Sequence, residues 1–396
     1  MWKTVKLGDV CDLVGGGTPS KKNDDYYDGD IPWATVRDMS VEELSSTEHK
    51  ITELGLKNSS SKVIPANNVI IASRVGLGKV CILRQDTAIN QDLRGVIPKR
   101  ENEIDKSFLF YWFKGIASII IGAGRGATVQ GVTLPFLNSL SFPLPPLAEQ
   151  QRIVAKLDAA FAEIDGAIES AVRKETEVQK LKASLLSSSL SGDAVMWKTV
   201  KLGDVCDLST GGTPSRTKPE YFDNGDVKWL VSGDVNQREI FDCDGRITQE
   251  GLKSSNAKYL PLNSVLIALN GQGKTRGTVA LLRINATCNQ SLVAISPKVG
   301  CDIDTKYIFY VLDGMYDKIR KLTGDSGNDR RGLNMPLIRN IPIPLPPLAE
   351  QQRIVAKLDA IFSELAVAKE AIKQSKTNYQ AMKSAILAQE LQSEAA

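Results

Sequence analysis

The sequence predicts an α+β chain: two mixed α/β domains related by a pseudo-twofold, separated by a long antiparallel two-helix coiled coil. Three observations predict it. Long blocks repeat in tandem, the middle of each repeat is a series of short apolar runs broken by Gly, Asn and Pro, and each repeat ends in an extended apolar stripe at helical spacing.

The repeat comes first. WKTVKLGDVCDL at Trp2 to Leu13 returns unchanged at Trp197 to Leu208, an offset of 195 residues. PLPPLAEQQRIVAKLDA at Pro143 to Ala159 returns at Pro344 to Ala360, an offset of 201, so the second unit is six residues longer between the blocks. GGTPS recurs at Gly16 and Gly211, a Gly-Asp-Ile/Val-x-Trp stretch ends at Trp33 and Trp229, and an Asn-Gln pair recurs at Asn90-Gln91 and Asn289-Gln290. Constant ends and differing middles imply one fold with one shared surface and two recognition surfaces. Met196 repeats Met1, as though two copies of one reading frame had been joined.

The middles come next. KVIPANNVIIASRVGLGKVCIL (Lys62 to Leu83) and KYLPLNSVLIALNGQGKTRGTVALL (Lys258 to Leu282) read as strands joined by turns. SFLFYWFKGIASII (Ser107 to Ile120) and KYIFYVLDGMYDKIRKL (Lys306 to Leu322) keep helical spacing. Trp33 and Trp229 at matching positions read as core, and the Asn-Gln pairs as a shared structural turn.

After Pro145-Pro146 and Pro346-Pro347 the pattern turns to long amphipathic helix, with Glu149 and Glu350 near the positive end of the helix dipole and Gly192 as the first helix's stop. Ile153, Leu157, Phe161, Ile164, Ile168, Val172, Val178, Leu181 and Leu185 form one stripe. Ile354, Leu358, Phe362, Leu365, Ile372, Tyr379, Met382 and Ile386 form the other. A helix over 148–190 or 349–391 would extend about 65 Å at ~1.5 Å per residue. Neither stands alone in water, and pairing them antiparallel puts one domain at each end. The expected boundaries are 1–144 and 193–345 for the domains, 145–192 and 346–396 for the helices.

Composition narrows the function. With 396 residues and 42% hydrophobic content the chain builds real cores, and its net charge of +3 makes charge placement, not total charge, the argument for nucleic acid. No apolar run suggests a membrane span and the N-terminus reads as no signal peptide, so a cytoplasmic protein is expected. Six scattered cysteines and the single His49 argue against structural zinc and a disulfide framework. No carboxylate-lysine nuclease motif is assembled, and one histidine gives little general-base capacity, so binding without catalysis is expected.

Two glycine-rich stretches have the look of ligand loops. ALNGQGKT (Ala268 to Thr275) fits a relaxed phosphate-loop pattern around Lys274, but strand-like RGTVALL follows where a helix should, and the related SRVGLGKV (Ser73 to Val80) has no Ser or Thr after Lys79. A hairpin or DNA-contacting loop is the better expectation. GAGRGA (Gly122 to Ala127) could suggest a methyl-donor site, but no downstream (N/D)PP(F/Y) follows, and a loop facing DNA or a solvated turn fits better.

The repeated PLPPLAEQQRIVAKLD block, the GGTPS start, the Asn-Gln pair and the two-unit layout together resemble the specificity subunits of type I restriction-modification enzymes, over nearly the whole chain. The resemblance implies a target-recognition domain in each middle and an antiparallel coiled coil between them. It implies as partners double-stranded DNA, two methyltransferase subunits and two restriction/motor subunits, with no membrane. The chain itself is expected to hold no cofactor, S-adenosylmethionine, ATP and Mg belonging to the partner subunits. The identity of both framing blocks between the copies departs from the family's pattern and leaves the spacer length open.

Side chains with two-pronged donors or donor-acceptor pairs read base edges, and loops supply them. The candidates for DNA are Arg74, Lys79, Arg125 and Gln130 in the first unit, and Lys274, Arg276, Asn328, Arg330 and Arg331 in the second; such residues also serve phosphate or simply stand in solvent. Arg152, Lys156, Arg353 and Lys357, invariant between the copies, are the candidates for docking methyltransferase subunits, ordinary helix solubility being the alternative. Two other functions compete: a coiled-coil scaffold with protein-binding end domains, and an ATP-using enzyme built on Lys274.

Overall fold

The computed structural model describes residues 2–125, 131–191, 197–271, 273–323 and 332–391. Packing divides them into two units, Met1–Val172 with Lys373–Ala396, and Arg173–Ile372. Two long helices, Leu147–Ser191 and Leu348–Glu390, each contribute part of their length to both units. The helix stop expected at Gly192 and the repeated Met1 and Met196 lie outside the described residues.

In the first unit a five-stranded sheet runs in the order Cys11–Gly15, Leu93–Pro98, Val69–Ala72, Val80–Leu83, Glu43–Leu44, antiparallel except at its last pair. A four-stranded sheet of His49–Ile51, Tyr27–Ala34, Thr87–Ile89 and Lys62–Ile64 accompanies it. All four residues of Val69–Ala72 are buried, so this strand reads as an uninterrupted apolar run. The helix Lys106–Gly115 starts on the Asp105 carboxylate, which accepts the Phe108 N–H at 2.9 Å. Its residues Phe108 to Phe113 are all buried, because one side packs on the sheet and the other on Ile153, Leu157 and Phe161 of the long helix.

The second unit repeats this plan with Cys206–Thr210, Leu292–Pro297, Val265–Ala268, Val279–Leu282 and Glu239–Ile240 in its larger sheet. Its smaller sheet holds Arg246–Ile247, Val227–Leu230 and Thr287–Cys288. The helix Thr305–Gly314, capped by Asp304, packs between the larger sheet and Ile354 and Leu358.

The repeated sequence blocks meet in space. Lys3–Lys6 pairs with Ser141–Leu144, and Lys198–Lys201 with Pro342–Leu345, each as a two-stranded ribbon that tolerates its prolines because half of its edge groups need no partner. Each ribbon leads through a Pro-Pro step into a long helix. There the residue directly after the glutamate, Gln150 or Gln351, is fully buried. Gln150 accepts the Asp105 N–H at 2.8 Å and donates to the carbonyls of Glu103 (2.9 Å) and Pro145 (2.8 Å). Gln351 does the same with Asp304 (2.8 Å), Asp302 (3.0 Å) and Pro346 (2.9 Å). A second tie joins Tyr310 to Asp359 at 2.6 Å and Tyr111 to Asp158; burial first, then these carboxylates, raise both phenol pKa values.

Within the first unit the two helices run antiparallel, Lys156 bridging Glu390 at 2.6 Å and Asp165 bridging Lys383 at 2.6 Å. Leu387 and Leu391 complete the core there, while in the second unit Leu186 packs in the cluster of Ile354 and Leu358. The apolar stripe is narrower than expected: Leu181 and Met382 stand half-exposed, and Leu186, Leu387 and Leu391 supply burial that the stripe did not include. Two helices cover only a slim seam on each other, so flanking positions stay wet.

Candidate nucleic-acid interface

In both units the same four segments converge beside the larger sheet. The GGTPS segment comes first: the Gly17 N–H donates to the Ile89 carbonyl at 3.0 Å and that of Gly212 to Cys288 at 3.0 Å. A Cβ on Gly16 or Gly211 would meet those same carbonyl oxygens at 2.1 and 1.8 Å, so only glycine permits this approach. The Asn-Gln pair forms the second segment. Asn90 and Asn289 accept from the N–H two residues on, at 3.1 and 2.9 Å, an Asx turn. The neighbouring glutamines accept from the GGTPS threonines, Thr18 to Gln91 and Thr213 to Gln290, the latter at 2.7 Å. Trp33 and Trp229 are buried beneath and donate to the Gly17 and Gly212 carbonyls at 3.2 and 3.0 Å, so both are core side chains.

The third segment is a hairpin loop. Val69–Ala72 and Val80–Leu83 are joined by Ser73 to Lys79, and Val265–Ala268 and Val279–Leu282 by Leu269 to Thr278. No helix follows the second loop, so a phosphate-loop architecture around Lys274 is excluded by the strand that takes its place. The ladder also corrects the match between the loops. Ala72 donates to Lys79 at 3.0 Å and Ala268 to Thr278 at 3.1 Å, so Thr278 occupies the position of Lys79 and Lys274 sits within a longer turn. Gly78 and Gly277, at φ +86° and +83°, press their loops against the helices Ala117–Gly122 and Tyr316–Lys321. The fourth segment follows those helices: Val132 donates to Ser73 at 2.9 Å and Leu333 to Leu269 at 2.9 Å.

Of the sequence candidates, Arg74 is half-exposed with its Nε 3.7 Å from Asp92. Lys79 reaches back to the Val36 carbonyl at 3.4 Å, and exposed Arg125 exchanges backbone hydrogen bonds with Gly131, beside Arg74. The structure therefore brings Arg74, Lys79 and Arg125 to one edge. Lys274 is exposed, its carbonyl held by Thr278 and by Tyr316 at 2.8 and 2.7 Å. Arg276 departs from expectation: it is only 9% exposed, inside the turn and under Arg320, which donates to its carbonyl at 3.0 Å. Gln130, Asn328, Arg330 and Arg331 lie outside the described residues.

A cleft of about 650 Å³ opens among these segments in the first unit. Thr18, Trp33 and Gln91 form its floor, while Arg37, His49 and Val75 stand in its walls. Those three wall residues were not singled out from sequence. They lie far apart along the chain, and only strand register brings them together.

On the long helices Arg152 forms a two-pronged pair with Glu149 at 2.7 and 2.8 Å, and Arg353 with Glu350 at 2.7 Å; each arginine's hydrogen bonds lower the pKa of its glutamate. Lys156 is engaged with Glu390, whereas the position corresponding to Glu390 in the other helix is Ser189, and Lys357 is exposed. Pro146, Ala148, Gln151, Arg152, Ala155 and Lys156 form an outward face that is repeated residue for residue at Pro347, Ala349, Gln352, Arg353, Ala356 and Lys357.

The family model for the type I restriction modification DNA specificity domain matches residues 1–174 and again 194–375. The chain belongs to that family. It is a type I specificity subunit, determining the DNA target of its system without catalysing a reaction. Curated relatives include the MjaIX specificity subunit of Methanocaldococcus jannaschii, 22% identical over 92% of this chain and 87% of that one. Another is the EcoR124I/EcoR124II specificity subunit of Escherichia coli, 35% identical over 65% of this chain and 64% of that one. Among solved structures, a chain from work on complex assembly and conformational transition of the type I R-M system aligns with TM-score 0.78 at 22% identity, covering 100% of this chain and 98% of that one. An HsdS subunit from Thermoanaerobacter tengcongensis aligns with TM-score 0.58 at 22% identity, covering 100% and 97%. They show the shared fold: mixed α/β domains joined by a long helix.

Among the described residues no cluster of His, Cys, Asp and Glu is arranged to hold a metal, and no helix is long and apolar enough to cross a membrane. All six cysteines are free; burial pushes Cys11, Cys81, Cys206 and Cys288 up to about 12, so they are inert packing residues.

Proposed function

We propose that each unit reads one half of a bipartite, asymmetric double-stranded DNA target, and that the repeated outward faces each dock one methyltransferase subunit. One observation carries the reading: the first strand of the ribbon and the helix start are identical in the two units, whereas the loops beside the larger sheets differ. A surface kept twice suits two copies of one partner, and two unlike surfaces suit two unlike half-sites. Arg152 and Arg353, with Lys156 and Lys357, would contribute to the docking face; Arg74, Lys79, Arg125 and Lys274 would contact DNA, by phosphate for register and by base edges for identity. Of the remaining candidates, Gln130, Asn328, Arg330 and Arg331 stay DNA-contact candidates by sequence, and Arg276 would act by shaping its turn from inside.

Helices of roughly 65 Å each match about two turns of B-DNA at ~34 Å per turn, so two short half-sites separated by unread bases are expected. S-adenosylmethionine, ATP and Mg would enter with the methyltransferase and the two restriction/motor subunits.

The test is domain exchange. Replacing residues 14 to 142 by the corresponding segment of another family member, and mapping methylated bases in cells that also carry the methyltransferase, should change one half-site and leave the other. Altered bases in both half-sites would count against one domain per half-site. Binding that is insensitive to salt would count against a phosphate-tracking interface and for the protein-binding scaffold.

A further inference from the structure

We infer that the first unit's cleft is its base-reading element, with Arg37 contacting guanine, Val75 packing on a thymine methyl, and His49 setting a third preference. This rests on the proposed function, since it presumes that the first unit reads a half-site.

The argument compares one cleft with its own counterpart. Hydrogen-bond register fixes which positions correspond. Trp33 pairs with His49, and Trp229 donates to the Gly245 carbonyl at 3.0 Å one step along the ladder from the Lys228–Arg246 pair, so Gly245 stands where His49 stands. The Asp38 carboxylate accepts from the Thr35 N–H at 2.8 Å and Asp234 accepts from Val231 at 2.7 Å, which sets Gly233 against Arg37. Ser73 donates to the Asp92 carbonyl at 2.8 Å and Leu269 to Ser291 at 2.8 Å, so the two hairpin loops start in register but differ in length beyond that point, and Val75 belongs to the shorter one.

The floor, then, is constant: Thr18, Trp33, Asn90 and Gln91 recur as Thr213, Trp229, Asn289 and Gln290. The walls are not. Arg37 and His49 become glycine in the second unit, and the loop that carries Val75 is replaced by a longer one. At Gly245 a Cβ would meet the Trp229 carbonyl oxygen at 2.2 Å, so that wall is kept bare by backbone, whereas Gly233 faces open space. A purely structural cleft would keep its walls as it keeps its floor. Changed walls on an unchanged floor are what two different half-sites require.

The side chains have the needed chemistry. Arg37 is exposed and its guanidinium presents parallel donors that match guanine O6 and N7. Val75 is 50% exposed at a loop tip, where its isopropyl group can pack on a thymine methyl. His49, 49% exposed, offers one ring nitrogen to a base edge while the other is 3.9 Å from Glu48.

The test uses the full chain assembled with its methyltransferase subunits and a pool of duplexes randomised at both half-sites, sequenced after selection. Arg37→Lys keeps the charge but not the fork. It should cost tenfold to a hundredfold, on the order expected for a two-pronged base contact, in discrimination at one G·C pair of one half-site, with affinity for sequences lacking that pair little changed. Val75→Ala should relax one A·T position in the same half-site, and His49→Ala one further position; all three residues are exposed, and an unchanged thermal midpoint verifies folding. A uniform loss of affinity for every sequence on Arg37→Gln, with the salt slope reduced by about one, would make Arg37 a phosphate contact and overturn the assignment. So would unchanged selection in all three variants while exchange of residues 14 to 142 still moves a half-site. If that exchange also leaves selection unaltered, the domain-reading hypothesis itself has failed.

Discussion

Two aromatic residues at matching positions of the long helices, Phe161 and Phe362, meet different surroundings. In the first unit Phe161 is buried, stacks edge-on with Tyr111 at 5.6 Å, and lies under the ammonium groups of Lys383 and Lys114 at 5.0 and 5.9 Å. Both cations have carboxylates, Lys383 with Asp165 and Lys114 with Glu42. In the second unit Phe362 is only partly buried, stacks with Tyr310 at 5.5 Å, and is flanked by Lys182 at 5.2 Å and Arg238 at 5.9 Å. Arg238 has Asp313 at 2.9 Å, but where Asp165 stands in the first unit the second has Ala366. Burial, and then the charges of Arg238 and Lys369, push the Lys182 pKa below the usual lysine range, against the pull of Asp313. The same joint is thus balanced in one unit and strained electrostatically in the other. A repeated sequence block fixes geometry, while charge balance depends on residues just beyond it.

Four measurements break or sharpen that comparison, each read as amide exchange of Val69–Ala72 for the first unit and Val265–Ala268 for the second. Phe161→Ala should cost the first unit about 3–4 kcal/mol, the cost of a buried aromatic, and Phe362→Ala the second unit about 2; equal losses would mean the two packings are equivalent. Gln150→Ala and Gln351→Ala should each cost about 2–3 kcal/mol by orphaning one buried N–H and two carbonyls, and because the hydrogen bonds match, the losses should agree within about 0.5 kcal/mol. Asp165→Ala should weaken the first unit, and Ala366→Asp strengthen the second, by about 0.5 kcal/mol each, small because the carboxylate positions are exposed.

The last measurement concerns pH. Lys182 has a lower pKa in the folded state than in the unfolded chain, so its charged form opposes folding. The second unit should become slightly more stable as pH rises from the lowered Lys182 pKa towards the ordinary lysine range. Lys182→Met should remove that slope and raise stability at neutral pH. A slope that persists in the variant would place its origin elsewhere.

The architecture was legible because its signals are local or repeated: apolar runs, helical stripes and two identical blocks. Trp33 as core and Asn90-Gln91 as a turn were legible from recurrence alone. The burial of Gln150 beside exposed Gln151 was not, since a polar residue at a helical position reads as surface until its backbone partners are known. Nor was the correspondence of Thr278 with Lys79, because glycine and lysine in two loops of unequal length invite alignment by residue type instead of by ladder. Arg276 reads as a surface arginine, yet the turn folds over it. Arg37, His49 and Val75 become neighbours only through strand register, which pattern along a chain does not encode.

The fully buried glutamine at each helix start hydrogen-bonds only to main-chain atoms: one N–H and one carbonyl from the turn before the capped helix, and one carbonyl from the proline step. Those three hydrogen bonds do not depend on which side chains the turn carries. A segment that brings the same backbone turn, a tyrosine to face Asp158 or Asp359 and an apolar helix face will seat like the native one, so recognition surfaces can be traded between chains without redesign of the joint.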